Sequence, residues 1–180
     1  MPAPKKLRHR TVPKSFRIDE SASIAVEEEA ISQNVSSNTL VNQILKQFSE
    51  FDRFARRINT VKLSSSVFQD LLSEMDSEKV IEIAKSAGSS IPQAFATTKN
   101  GKVDVESLVD HIRCLAVYAH LCEFSETNDA HDRLLTLVHD FGLNWSIFLV
   151  HYVNAMFEQI GVSSKVDMSD RSVTFTLLGK

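Results

Sequence analysis

Phe16 and Ile18 alternate with Ser15 and Arg17, the period-two pattern of a short strand with one apolar face. Such a strand carries unpaired N–H and C=O groups along both edges. The roughly 40 residues after it read as helix, so the chain nearby offers no sheet to join. The cheapest partner is the same strand of a second chain, paired antiparallel about a two-fold axis. Phe16 and Ile18 then point inward and Ser15 and Arg17 outward. A two-stranded ribbon of this kind fits the DNA major groove.

Asp19 is a plausible N-cap, and Ala22, Val26 and Ala30 follow at four-residue steps among Glu20, Glu27, Glu28 and Glu29. This pattern predicts a helix over 20–33. Asn34 suits a left-handed residue beyond its end, and Ser36 suits the N-cap of a second helix with Leu40, Val41, Ile44, Leu45 and Phe48 as its stripe. Phe51, Phe54, Ala55 and Ile58 continue that stripe, so the second helix is expected to run for about 22 residues.

In this order, and without a gap, residues 13–48 resemble the ribbon-helix-helix family of dimeric DNA-binding proteins. The resemblance implies base contacts by the outward Ser15 and Arg17, and a phosphate held by Ser36, Ser37 and Asn38. Helix N-termini favour anions because their N–H groups and dipole face the ligand. It also implies a homodimer whose core holds Phe16, Ile18, Val26, Leu40, Val41 and Ile44. Two positions depart from the family pattern: Pro13 replaces the first outward reading residue, and Lys14 stands at an inward position that is often apolar.

The net charge of −3 argues against a polyanion partner for the chain as a whole, so any such contact has to be local. Lys5, Lys6, Arg8, Arg10, Lys14 and Arg17 all precede the first acid, Asp19; the first four make residues 1–12 a basic arm suited to phosphates, and Lys14 extends it. Met1 to Arg10 contains no apolar run of the secretory kind. No stretch of about 18 apolar residues occurs, which argues against a membrane span. Cys114 and Cys122 lie on one expected helix, about 12 Å apart along its axis and too far to bridge, in keeping with a reducing cytoplasm.

At 180 residues, 43% of them hydrophobic, the chain can bury a second core of about 100 residues beyond the N-terminal module. Helices are expected at Ser65–Met75 and Ser77–Ala87, the latter ended by Gly88, with a turn or two after Pro92. A break at Asn100 and Gly101 precedes a helix opened by Asp104 and Glu106 and reaching about His120. Strands are expected at 122–127, 133–139, 165–168 and 172–177, the last two a hairpin. Between them, Trp145, Phe148, Leu149, Tyr152, Val153, Met156, Phe157 and Ile160 mark a strongly amphipathic helix closed by Gly161. The expected fold class is α+β, mostly helical. A ribbon-helix-helix over 13–59 precedes a domain over 60–180 built as a helix on about four antiparallel strands.

Other chemistries are weaker. His139, Asp140 and Trp145 cluster ahead of that helix, but there is no glycine-rich phosphate loop, serine elbow or spaced carboxylate pair, so no enzyme is expected. His111, Cys114, His120, Cys122, His131 and His139 are six potential metal ligands within 29 positions. Their spacing matches no common metal motif, and neither metal nor cofactor is expected. The run Phe48, Phe51, Phe54 fits a core stripe better than a partner groove. The sequence therefore points to a cytoplasmic transcriptional regulator that binds double-stranded DNA as a dimer. Its C-terminal domain is expected to supply dimer contacts, effector sensing or partner docking. The competing class is a protein-interaction or antitoxin-like module that uses the ribbon-helix-helix only to dimerise.

Overall fold

The computed structural model describes residues 12–128 and 132–178. It is α+β, mostly helical, with a four-stranded antiparallel sheet, and it divides into two compact units, residues 1–45 and 46–180. No helix among the described residues is long and apolar enough to cross a membrane.

In the first unit, residues 12–19 have no regular secondary structure. The strand expected at Phe16–Ile18 is not formed within the single chain, because no described segment pairs with it. Helix α1 (Glu20–Ser32) and helix α2 (Ser37–Gln47) follow at the expected places. The expected helix of about 22 residues is helical throughout, from Ser37 to Ile58, but it is not uniformly α beyond Gln47. A π turn (Phe48–Asp52), a short α turn, α3 (Arg53–Ala55), and a 3-10 turn (Arg56–Ile58) succeed one another before Asn59 ends the run in the left-handed region.

The second unit buries two clusters. In the smaller, Phe51 stacks on Tyr118, with centroids 5.8 Å apart, and Phe54 meets Phe95 edge-on at 5.8 Å. The covering residues come from α6 (Ile91–Asn100) and α7 (Val105–Ala119). Helix α6 is longer than the turn or two expected after Pro92. Buried Phe95 and Ala96 hold it down, and Gly101 closes it with φ 71°. Helix α7 opens on a reciprocal cap: the Ser107 N–H donates to Asp104 Oδ1 at 2.9 Å, and the Asp104 N–H donates to Ser107 Oγ at 2.9 Å.

The larger cluster lies between helices and sheet. Strands β1 (Glu123–Asn128), β2 (Asp132–Val138), β3 (Ser164–Met168) and β4 (Ser172–Leu178) pair in the order β1-β2-β4-β3, every neighbour antiparallel. The register sets Leu135 opposite Phe175 and Leu137 opposite Val173, and all four are fully buried. Helix α8 (Leu143–Glu158) buries Leu149, Tyr152, Val153, Met156 and Phe157 in the same core, as its spacing predicts. At the edge, Arg133 is held by Glu106 of α7 at 2.5 and 3.1 Å and by Glu126 of β1 at 2.8 Å.

Helices α4 (Ser65–Ser73) and α5 (Ser77–Gly88) complete the unit. Gly88 does not terminate its helix in a left-handed turn. It is the last helical residue and touches α8, where a Cβ would lie 2.3 Å from the Tyr152 carbonyl oxygen. Gly88→Ala is therefore expected to cost about 2 kcal/mol or more, read from urea unfolding.

His111, fully buried, shares a 2.8 Å hydrogen bond with the Tyr152 hydroxyl through Nε2. Burial pushes its pKa down to about 4 from 6.5. The unfolded chain then takes up the proton first, so stability is whole above about pH 6.5 and falls as pH drops toward 4. Urea midpoints against pH should show that slope, and His111→Gln should flatten it.

Candidate nucleic-acid interface

The helix–turn–helix of the first unit is built by local rules. At the end of α1 the Val35 N–H donates to the Ala30 carbonyl at 2.9 Å and the Asn34 N–H to that of Ile31 at 3.0 Å. With Asn34 at φ 55°, these two bonds make a Schellman turn. Ala30 is buried beneath it. Two residues on, Ser36 caps α2, its Oγ accepting the Thr39 N–H at 3.1 Å and sharing a 2.8 Å bond with Thr39 Oγ1. The N–H groups of Ser37 and Asn38 make no hydrogen bond among the described residues, and both residues are exposed.

Ser15, Arg17 and Lys14 are exposed on the segment ahead of α1. Of the residues expected in a dimer core, Leu40 is buried within one chain, and Val26 and Val41 are half-buried. Phe16, Ile18 and Ile44 stay 65%, 60% and 50% exposed. Lys5, Lys6, Arg8 and Arg10 lie outside the described residues.

Elsewhere most of the residues with chemical potential are engaged by neighbours, though exposed His120 has no side-chain partner among the described residues and His111 Nδ1 is unpaired. His139 is buried. Its Nδ1 accepts the Phe141 N–H at 3.3 Å, so Nε2 carries the proton and donates to Ser146 Oγ at 2.8 Å. Burial lowers its pKa, and the ring is a neutral packing residue. Asp140 pairs with Arg171, and the Trp145 indole donates to the Leu121 carbonyl at 3.0 Å.

The expected metal-ligand neighbours on α7 also go separate ways. His111 turns to Tyr152, while Cys114 Sγ lies 3.1 Å from Lys99 Nζ, which in turn meets Asp110 at 2.7 Å. Burial raises both cysteine thiols, Cys122 to about 12, and both are free. His131 lies outside the described residues; among the described ones, no three His, Cys, Asp or Glu gather closely enough to hold a metal ion.

The Lys99–Asp110–Cys114 cluster was not visible in the sequence, because Lys99 stands on a different helix from its partners. Nor was the Tyr118 hydroxyl's 2.5 Å bond to Glu50, which spans 68 positions. No protein-family model matches the chain, and no curated protein matches it significantly in sequence.

Ser36→Ala should lower thermal stability by about 1 kcal/mol through loss of the α2 cap. The melting curve of the full chain checks it, and Ser36→Asp, which keeps an acceptor, should restore most of the loss.

Proposed function

We propose that the chain is a dimeric ribbon-helix-helix DNA-binding protein that regulates transcription in the cytoplasm. One observation carries the reading. Residues 12–19 hold Phe16 and Ile18 in solvent and find no strand partner among the described residues of their own chain, directly ahead of a helix, a Schellman turn and a capped helix. A second copy satisfies both needs at once. Its strand takes up the free main-chain groups, and burying each large apolar side chain contributes about 1.5–3 kcal/mol.

In that assembly Ser15 and Arg17 stand on the outer face of the ribbon and read base edges. The N-terminus of α2, with Ser36, Ser37 and Asn38, grips a phosphate. Lys14 and the preceding arm supply local positive charge in a chain whose net charge is −3. The second unit is free to carry dimer contacts or effector sensing.

The test pairs two measurements. DNA fragments enriched on the protein are titrated with the wild type and with Arg17→Ala, and light scattering follows the mass of both. Arg17→Ala should cost about 1–3 kcal/mol per reading contact and leave the dimer intact. The wild-type affinity should fall steeply with added salt. A monomer at working concentration, or unchanged binding by the variant, overturns the reading; a dimer with no enriched fragments leaves the interaction-module class in its place.

A further inference from the structure

We propose that strand β3 is a self-association surface in its own right: its free edge pairs antiparallel with β3 of another copy of this chain, joining two sheets into one. The surface lies wholly in the second unit and does not rest on the DNA-binding reading.

Among the described strands β3 stands at one end of the sheet, with β4 on one side and no strand on the other. Residues of an antiparallel strand direct their N–H and C=O groups alternately to its two sides. Two bonds near the hairpin fix which residues point where. The Ser169 N–H donates to the Ser172 carbonyl at 2.8 Å, and the His139 N–H donates to the Arg171 carbonyl at 2.9 Å. Ser172 therefore turns toward β3 and Arg171 toward β2. Followed along the register, Lys165 and Asp167 direct their main-chain groups at Thr176 and Thr174, whereas Ser164, Val166 and Met168 direct theirs away from the sheet. Such an edge is a template for another strand.

The side chains select the strand. Lys165 and Asp167 share the face opposite the core, are exposed, and have no ion-pair partner among the described residues. A lysine on an edge ordinarily keeps other strands away. When Val166 is set opposite Val166 of a second copy, however, Lys165 of each chain falls opposite Asp167 of the other. These become the positions without main-chain bonds, where facing side chains come closest, while Val166 with Val166 and Ser164 with Met168 exchange the N–H and C=O bonds. A one-residue slip sets outward-directed residues against inward-directed ones and forms no ladder. A two-residue slip sets Lys165 against Lys165, or Asp167 against Asp167. Parity and charge together favour the register centred on Val166.

The core face agrees. Val166 packs against the larger cluster, and Met168, opposite buried Val173, is 43% exposed. Pairing lays Met168 beside Ser164 and Val166 of the other copy, so the apolar layer continues across the two-fold axis. Strand β1, at the other end of the sheet, reads EFSETN, with acids and no base, so pairing with itself matches no charge.

Sedimentation equilibrium over a concentration series isolates this surface in the full-length chain carrying Phe16→Glu and Ile18→Glu, exposed changes that disable a ribbon dimer. That chain should still dimerise. Adding Lys165→Asp, which sets aspartates opposite one another twice, should weaken the dimer about tenfold or more, and adding Asp167→Lys to it should restore the affinity to within about threefold. Circular dichroism melts check that each variant keeps its fold, as exposed positions allow. The proposal is overturned if the ribbon-disabled chain is monomeric at every concentration, if Lys165→Asp leaves the affinity unchanged, or if the charge swap fails to restore it. Because the ribbon is disabled throughout, such a failure is separate from any failure of the Arg17 test.

Discussion

The second unit depends on one helix being buried along most of its length. Helix α8 sets Val153, Met156 and Phe157 into the core that Leu135, Leu137, Val173 and Phe175 form from the sheet. Its backbone meets α5 at Gly88, where no side chain intervenes. The Tyr152 hydroxyl reaches His111 of α7 and the Asn144 side chain donates to the Leu72 and Met75 carbonyls at 2.7 and 2.8 Å. Packing therefore comes first and hydrogen bonds register it. Each polar group that α8 carries into the interior meets a specific acceptor or donor on a neighbouring element, as burial requires.

How much of this could be read from the residues depended on how local each cause was. The four strands, α8 and the caps of α7 are written in short-range patterns: alternation in SVTFTL, the i, i+3, i+4 spacing from Trp145 to Ile160, and Asp104 three before Ser107. The Asn34 turn and the Ser36 cap were legible for the same reason. Helix α6 was underestimated because Thr97, Thr98 and Asn100 hide its period, and Phe95 earns its place only by meeting Phe51 and Phe54, more than 40 positions earlier. Gly88 read as a helix stop because the alternative, a close approach to Tyr152, depends on a residue 64 positions away. The candidate site divides likewise. Ser15, Arg17 and Ser36 are local features, whereas the Lys99–Asp110–Cys114 cluster joins two helices and has no signature in any one stretch.

The two units differ in how completely a single copy satisfies them. In the second, two buried clusters cover most of the apolar residues, although Val61, Leu63, Leu71, Val117 and Leu143 stay more than half exposed across its greater length. In the first, Val12, Phe16, Ile18, Ile24, Ile31 and Ile44 remain at least half exposed while only Ala30 and Leu40 are buried. A stable fold rarely leaves so much apolar surface on so short a segment unless another surface meets it. The asymmetry gives the dimeric reading its physical weight, apart from any likeness of pattern.

The π turn at Phe48–Asp52 has a consequence of its own. An ordinary helix advances about 100° per residue, so one residue absorbed into a wider loop of backbone offsets the phase of all that follows. Phe48 stays half exposed while Phe51 and Phe54 are buried. The turn thus works as a clutch, setting the angular position of Phe51 and Phe54 apart from the winding that precedes Phe48.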